Sequence, residues 1–488
     1  MNQTHEIKLS NITLLNFLSR IVFYLFVFIV GIISSRQLSN HAFGEVQFLS
    51  FLIGLSWMGL NFGLPGMLGK FWPSAIINGN KSVIDTLLIR ALITGLVSVF
   101  THAIFLIIIY QVVVIYIPIW HLFIWAVSNI ALAITSVLMQ ATYRYKQAFY
   151  LNLFACSLAL TFLLTSINYL QQLSYIYCFV TVNILLASGY AYDTFIYLRV
   201  LNKHNNATQL QMMPTMNGWI KTSAYFAIST ILAGILWQRF ELSFIKHYFN
   251  FDQLAIYVIA FTLVSLFAEP LKLIPSGLLY YFSGIQHDHE KAAVKFVDFF
   301  IHFSWLVFFC GIFIYMHAET VVVFLYTSKY AAAAYYTKLL LLGFVPGICG
   351  YVFMNMHTGL GKARFLLIQD TVCALLFITG MTFAIPAFGL TGAALAKSAA
   401  MIISVCIGAW YTKKRLQYDL PLLKPCLSLL LAWVLIYATQ SFFNGNLLLL
   451  LAKGICLFLL YLLLSFKMGL IRKSLFAVFY YRIQNYFS

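Results

Sequence analysis

The chain has 488 residues, of which 62% are hydrophobic and only 9% are charged, and its formal net charge is +17. Soluble domains carry about 25% charged residues, so this composition excludes an ordinary soluble protein and indicates an integral membrane protein. A membrane-spanning helix needs about 20 apolar residues, and the chain has room for on the order of a dozen. The segments between the apolar runs are short, which leaves no space for a separate catalytic domain.

Apolar runs bounded by polar residues or by Gly and Pro predict fourteen spans, each a helix. The predicted spans are 12–35, 43–69, 83–110, 118–140, 148–168, 173–198, 220–245, 253–281, 293–317, 337–360, 364–385, 391–411, 422–441 and 446–466. We therefore expect an all-α integral membrane protein.

Lys and Arg outside these spans concentrate in alternate loops. Their distribution indicates the membrane topology and bears on the kind of partner. If the N-terminus is cytoplasmic, every cytoplasmic loop is basic and few basic residues fall on the other side. The positive-inside rule then places both termini in the cytoplasm. The net positive charge reflects this topology and contact with anionic lipid headgroups, and a nucleic-acid partner is not expected.

The chemistry of common enzymes and metal sites is missing from the sequence. The eight Cys are scattered singly along apolar segments, as packing residues are. The run HDHE at 287–290 places adjacent side chains in a short loop, where they do not converge on one ion. No phosphate-binding loop, serine-hydrolase or zincin motif is present. We expect neither an enzyme, nor a metal site, nor an organic cofactor, and no cleaved signal peptide.

The 199–221 loop falls after the sixth span and divides the spans into two candidate halves of six, followed by two extra spans. The expected organisation is an N-lobe at 1–200, a cytoplasmic linker at 201–219, a C-lobe at 220–412 and a C-terminal region with a basic tail at 413–488. LSNHAFGEVQ after span one and FNFDQLAIYV after span seven are alike only in pattern. Pseudosymmetric halves are the common plan of secondary transporters.

Charged residues within the spans are the candidate functional residues, since a charge in a membrane usually faces a wet cavity or a partner. The candidates for substrate binding are Arg20, Arg239, Lys272 and Lys397, and those for gating or coupling are Glu241, Glu269 and Asp298.

Arg239 and Glu241 are two residues apart, so on a helix their side chains point about 200 degrees apart and need different partners. Either one faces a central cavity while a neighbouring helix holds the other, or both reach outward toward the headgroups. Arg20 lies in span one, the counterpart of span seven in the repeat, and deeper toward the cytoplasm. The two arginines are therefore hypothesised to form cationic steps at different depths.

The remaining candidates each have a structural alternative. Glu269 and Lys272 share a helix face, as a permanent salt bridge or as a pair that exchanges partners during transport. Lys397 follows small residues that allow close helix approach. Its side chain is either buried against a carbonyl or an acid, or in contact with the ligand. Asp298 and His302 are four apart, either as a proton-coupling pair or as a packed His beside an acid at the headgroups.

Several stretches resemble a known family. They are NFGLPGMLGKF, which closes span two, and YTSKYAAAAYYTKLLLLGFVPGICGYVFMNMHTGLGKARFLLIQD followed by IPAFGLTGAALAKS, which leads into span twelve. Together with the layout of six, six and two spans, they resemble the polysaccharide transporter branch of the multidrug/oligosaccharidyl-lipid/polysaccharide (MOP) exporter superfamily, closest to the Wzx-like flippases. This resemblance implies a MATE-like fold with two pseudosymmetric six-helix lobes plus two C-terminal helices.

The resemblance also implies a function. Such a protein lies in the bacterial inner membrane and moves polyprenyl-diphosphate-linked oligosaccharide units to the periplasmic leaflet for O-antigen, lipopolysaccharide or capsule synthesis. It works by alternating access, coupled to protons or sodium, beside membrane lipids and a polymerase and chain-length assembly complex. The alternatives are a cation-coupled multidrug antiporter, a lipid II flippase and, from another class, a polysaccharide polymerase or acyltransferase. The basic candidates disfavour a carrier of cationic drugs, and the short loops disfavour an enzyme.

Overall fold

In a computed structural model of the chain, 94% of the described residues are helical and none lies in a strand. The described residues are 2–64, 67–68, 72, 81–112, 117–141, 144–204, 216–278, 282, 289–360, 362–416, 423–439 and 447–471. The HDHE run, the predicted linker and the predicted basic tail lie partly outside them.

Fourteen α-helices account for the described residues outside turns and single-turn elements. They are α1 (Asn2–Gln37), α2 (Asn40–Leu60), α3 (Lys81–Val112), α4 (Ile119–Ala141), α5 (Tyr145–Leu170), α6 (Gln172–His204), α7 (Met216–Trp237), α8 (Glu241–Tyr248), α9 (Phe251–Leu273), α10 (His289–Tyr326), α11 (Ala333–Gly359), α12 (Ala363–Leu416), α13 (Leu423–Ala438) and α14 (Leu447–Lys467).

The predicted fold class is confirmed. Each predicted span coincides with a helix or with part of one, and eleven helical stretches in the described residues are long and apolar enough to cross a membrane. Helix α13 is apolar too, although it has only 16 residues. This is therefore a multi-pass membrane protein.

Helix α12 contains two predicted spans joined at a sharp reversal. Gly389 has φ 61° and ψ −142°, outside the helical region and in a range that glycine tolerates best. The two arms, 363–388 and 390–416, lie beside one another, and the Gln369 side chain of one donates a hydrogen bond to the Ser404 carbonyl of the other at 2.8 Å. Gly392 lies so close to the Ala384 carbonyl that a larger residue would collide with it.

The prediction of one continuous helix over 220–245 is wrong. The span expected at 220–245 is interrupted at 238–240, where α7 ends and the short helix α8 begins at Glu241. The interruption coincides with the two charged residues that drew attention to this segment. Irregular backbone within a membrane protein is tolerated where protein groups surround it, and polar groups from three other helices lie at this point.

The chain forms two compact units, Met1–Val258 and Ile259–Ser488, so that the division falls inside α9. In the first unit α1 packs against α5, and α6 packs against both α4 and α5. In the same unit, Gly44 of α2 lies so close to the Phe251 backbone carbonyl that any side chain at position 44 would collide with it. The lobe and linker bounds given above stay predictions.

In the second unit α11 packs extensively against α12, and α10 packs against α11 and α13. The last two helices are fastened to α10 by an aromatic cluster. Trp305 stacks on Tyr461 with ring centroids 5.0 Å apart and donates a hydrogen bond to Ser465 at 2.8 Å. The Tyr461 hydroxyl donates to the Ser428 carbonyl at 3.0 Å, which brings α13 into the same cluster.

The cysteines differ in exposure. Cys156 and Cys178 of the first unit are buried. In the second unit Cys349 and Cys373 are buried and Cys310 is half-buried, whereas Cys406, Cys426 and Cys456 are exposed.

Candidate functional site

A cavity of about 370 Å³ lies inside the first unit, between α1, α4, α5 and α6. Each helix contributes residues three or four apart, which is the spacing of one helix face. The lining residues are Ser19, Arg20, Phe23 and Tyr24 of α1, Leu132, Ser136 and Met139 of α4, Tyr145, Ala148 and Asn152 of α5, and Leu186 and Tyr190 of α6.

Arg20 is the charged member of this described lining. It is exposed in the protein, whereas its neighbour Ser19 is 6% exposed. The cavity therefore presents a guanidinium together with three phenols, two hydroxyls and an amide. Such a mixture of apolar walls and a few polar groups is typical of a binding site for a small polar ligand.

The polar residues behind Arg20 form a buried network. The Asn152 amide donates a hydrogen bond to the Ser19 hydroxyl at 2.6 Å, and both residues are 6% exposed. This bond fixes two lining side chains from two helices, so this part of the cavity wall is preorganised.

A salt bridge borders the cavity. Arg144, the residue before Tyr145, contacts the Asp193 carboxylate at 2.9 Å and donates to the Asp193 carbonyl at 3.3 Å. Asp193 lies three residues after Tyr190 on α6. This pair ties the start of α5 to α6 beside the cavity.

Arg239 does not line this cavity. It lies half-buried in the interruption between α7 and α8, where it donates a hydrogen bond to the Gln47 side chain at 2.9 Å. Gln47 in turn donates to the Tyr175 hydroxyl at 3.1 Å, and both of these residues are buried. The chain of contacts therefore connects the interruption with α2 and α6.

Two carboxylates belong to the same region. Glu241 begins α8 and is fully buried, and it accepts a hydrogen bond from the Tyr257 hydroxyl at 3.2 Å. A negative charge at a helix N-terminus is favoured by the helix dipole. Glu45 of α2 is also buried and accepts from the Gln172 amide at 2.7 Å. We refer to Arg239, Gln47, Tyr175, Glu45, Gln172, Glu241 and Tyr257 together as the Arg239 cluster.

The candidates of the second unit include a salt-bridged pair and a buried lysine. Lys272 forms a salt bridge with Glu269 at 2.7 Å, and its ammonium lies 5.3 Å from the centre of the Tyr351 ring. Lys397 is fully buried, with its ammonium 4.9 Å from the Phe377 ring centre and 5.4 Å from that of Phe261. These positions are typical of cations held by aromatic faces.

Asp298 and His302 both lie on α10. Their side chains approach to 3.8 Å, and the Asp298 side chain is 41% exposed. The structure thus keeps this pair together on one helix face, while a role in coupling stays a prediction.

Sequence reasoning missed the uncharged polar residues that complete both regions of the first unit. Gln47, Tyr175, Asn152 and Tyr190 carry no charge, and the chain has 30 Tyr in all. Asn152 was the one with a visible signal, since an amide in the apolar run FYLNLFACSLAL needs a hydrogen-bond partner.

No protein-family model matches this sequence, and no curated protein matches it. Among proteins of known structure, the chain is similar to an inward-facing multidrug-resistance MATE-family transporter of the MOP superfamily, with a TM-score of 0.62 and 14% identity over 80% of this chain and 94% of that one. It is also similar to the lipid II flippase MurJ in an inward closed conformation, with a TM-score of 0.53 and 17% identity over 93% of this chain and 100% of the other.

A third similar structure is a MOP-superfamily transporter from Pyrococcus furiosus described as having a binding pocket of reverse polarity. Its TM-score is 0.58, with 14% identity over 84% of this chain and 95% of that chain. The neighbours are transporters and a flippase, not enzymes. At these identities the likeness concerns the backbone, and on that evidence the chain has the MATE-like fold of MOP-superfamily transporters.

Proposed function

We propose that this protein is a flippase that moves polyprenyl-diphosphate-linked oligosaccharide units from the cytoplasmic to the periplasmic leaflet of a bacterial inner membrane, by alternating access. The observation that carries the proposal is Arg20 in a polar cavity inside a membrane-spanning unit. An anionic headgroup cannot cross the hydrocarbon core without compensation of its charge. A fixed guanidinium beside hydroxyl and amide groups supplies that compensation.

The position of the cavity along its helices fits the direction of transport. Its lining includes Met139 near the end of α4 and Tyr145 at the start of α5, and the basic residues Arg144 and Lys146 flank Tyr145. With the orientation predicted from the basic loops, this end of the unit faces the cytoplasm. The substrate would then enter from the leaflet in which lipid-linked glycans are assembled.

The described lining also argues against a carrier of cationic drugs. It contains a guanidinium and no carboxylate. A cationic ligand would meet repulsion from Arg20 with no opposing charge in that lining. The lipid II flippase remains a competing proposal, because MurJ has a similar backbone and lipid II shares the polyprenyl diphosphate.

Coupling to protons or sodium belongs to the same proposal. Glu269 and Lys272 form the salt bridge that would exchange partners between states. Glu241 and Asp298 are further candidates for coupling, and Lys397 is a further cation for the passage of the substrate. The partners would be membrane lipids and a polymerase and chain-length complex in that membrane.

The test is deletion of the gene in its native cell, followed by analysis of surface polysaccharide and of lipid-linked glycan on each face of the inner membrane. Repeat units trapped on the cytoplasmic face, with surface glycan lost, are the expected result. Complementation with Arg20→Ala should fail at normal protein level, whereas Arg36→Ala, at the far end of the same helix, should restore export.

Unchanged surface polysaccharide and no trapped unit would contradict the proposal. Arrest of cell-wall synthesis with accumulation of lipid II would transfer it to the competing substrate. Loss of the Arg20→Ala protein from the membrane would show that Arg20 acts in folding.

A further inference from the structure

Basic residues mark the place where the first arm of α12 begins and its second arm ends. With the orientation predicted from the basic loops, this place faces the cytoplasm. The described basic residues here, which we call the α12 basic patch, are Lys362, Arg364, Lys413 and Lys414. We propose that the patch binds an anionic phospholipid of the cytoplasmic leaflet, with the lipid phosphate at the basic side chains and an acyl chain along α12. This inference does not depend on what the transporter carries.

Two segments that are far apart in sequence assemble the patch. In the first arm, Arg364 directly precedes Phe365. In the second arm, Lys413 and Lys414 follow shortly after Tyr411. The Phe365 and Tyr411 rings stack, with centroids 3.5 Å apart and an angle of 7° between their planes. Because these rings join the arms, the basic residues beside them belong to one region of the surface.

A buried histidine fixes this arrangement. His357, in the last turn of α11, is fully buried, and its ring centre lies 5.4 Å from that of Phe365 and 5.0 Å from that of Tyr411. The His357 Nε2 lies 2.9 Å from the Thr412 hydroxyl, which donates to the Gly408 carbonyl at 2.8 Å. Rings from α11 and from both arms therefore hold the two basic segments in place, so the patch is preorganised for a ligand.

The sign of the charge determines the class of ligand. Asp370 is the one acidic residue between positions 320 and 418, a range that contains both arms, and it lies about 9 Å further along the first arm than Arg364. Arg364 and Lys414 are exposed, and the Lys414 ammonium lies 5.3 Å from the centre of the exposed Trp410 ring. Basic clusters at the cytoplasmic surface attract anionic headgroups, and Trp prefers the depth of the headgroups. The complementary ligand is therefore an anion at that depth.

An exposed apolar row continues from the patch and identifies the anion as a lipid. Ile368, Val372 and Leu376 are exposed and follow Arg364 at intervals of four residues, which places them on one face of the first arm. The helix rises about 18 Å from Arg364 to Leu376, slightly more than half of the roughly 30 Å hydrocarbon core. A cation at the head of an apolar face one leaflet deep matches a phospholipid phosphate and its acyl chain.

Trp410 provides the probe for a test with the full-length protein. The protein is reconstituted in bilayers of phosphatidylcholine and phosphatidylglycerol, with bromine on the acyl chains of one lipid or the other. The fluorescence that Trp410→Phe removes is the signal of Trp410, and nearby bromine quenches it. We expect phosphatidylglycerol to be preferred at Trp410 by about fivefold to twenty-fivefold, the factor that one or two basic residues near a membrane surface supply. Trp433, an exposed residue of α13, is measured in the same way and should show no preference.

Substitutions of exposed residues test whether the two arms form one site, because such changes seldom affect folding. Lys414→Gln should lower the preference at Trp410 by about fivefold. Arg364→Gln should lower it similarly, although Arg364 and Trp410 lie on different arms. Lys295→Gln is the matched control, since it removes an exposed charge of α10 outside the patch, and it should leave the preference unchanged.

Three results would overturn the inference. Equal quenching of Trp410 by both lipids would mean that the basic residues serve membrane topology alone. The same preference at Trp433 as at Trp410 would mean that the charge of the protein acts on all surrounding lipid. An effect of Lys414→Gln without one of Arg364→Gln would confine the lipid to the second arm and contradict a site built from both.

Discussion

Arg20 and Arg239 occupy corresponding helices of the predicted repeat, yet their surroundings differ. Arg20 faces a cavity whose polar wall is fixed by Asn152 and Ser19. Arg239 donates to Gln47, which donates to Tyr175, and it lies where α7 gives way to α8. The comparison teaches that a charged residue in a membrane helix is not by itself a binding residue: the space in front of it decides whether it contacts a ligand or holds helices together.

The largest expected effect on stability concerns Glu241. Tyr257→Phe removes a hydrogen bond to a fully buried carboxylate, which should lower the free energy of unfolding by about 1.5–3 kcal/mol. The apparent melting temperature in detergent, followed by size-exclusion chromatography, measures it. Tyr24→Phe in the cavity is the matched control and should change it little. Equal melting temperatures for Tyr257→Phe and the unmodified protein would show that this bond is not structural.

Arg239→Ala comes next. It leaves the buried Gln47 oxygen without this donor, at a cost of about 1–3 kcal/mol. The melting temperature should fall by several degrees, and transport should fall in proportion to the folded protein. A double-mutant cycle with Gln47→Ala should give a coupling energy of about 0.5–3 kcal/mol between the two residues. Additive effects would separate Arg239 from Gln47 and return Arg239 to the ligand-binding candidates.

Tyr175→Phe should have a smaller effect. It removes one neutral hydrogen bond, from the Gln47 amide to the hydroxyl, worth about 0.5–1.5 kcal/mol. The same melting experiment detects it, with Tyr192→Phe, an exposed tyrosine of the same helix, as a control for the loss of a hydroxyl. A loss larger than that of Arg239→Ala would mean that Tyr175, not the arginine, is the centre of the Arg239 cluster.

The smallest effect on stability is expected for Arg20→Ala. Substitutions of exposed residues usually change the free energy of unfolding by less than about 0.5 kcal/mol, so its melting temperature should stay unchanged while transport is lost. A fall in melting temperature equal to that of Arg239→Ala would erase the distinction between the two arginines.

The helices could be predicted from the sequence because apolar runs of sufficient length have few alternatives in a membrane. Charge placement singled out the two arginines as candidates, and their functional roles stay predictions. Their different surroundings were not predictable, since they depend on contacts between residues far apart in sequence. Arg239 and Gln47 are separated by 192 positions, and Asn152 and Ser19 by 133.

The interruption before Glu241 escaped prediction for a related reason. The run ILWQRFELSFI has no Gly or Pro to mark a break. The irregular backbone at 238–240 lies beside hydrogen bonds from Arg239 to Gln47 and from Tyr257 to Glu241. These bonds join residues of different helices, so the local sequence does not predict them. Gly389, by contrast, follows Pro386 and lies between two predicted spans, so the reversal in α12 was expected from the sequence.

The uneven distribution of cysteines determines how motions of this protein can be followed by spectroscopy. Thiol-reactive spin labels and fluorophores need an accessible thiolate, and Cys156 and Cys178 are both buried. Replacement of Cys406, Cys426 and Cys456 would therefore remove the exposed native thiols. A cysteine engineered beside the Arg20 cavity would then become a selective attachment point, from which distances could be measured during a transport cycle without rebuilding the interior of the first unit.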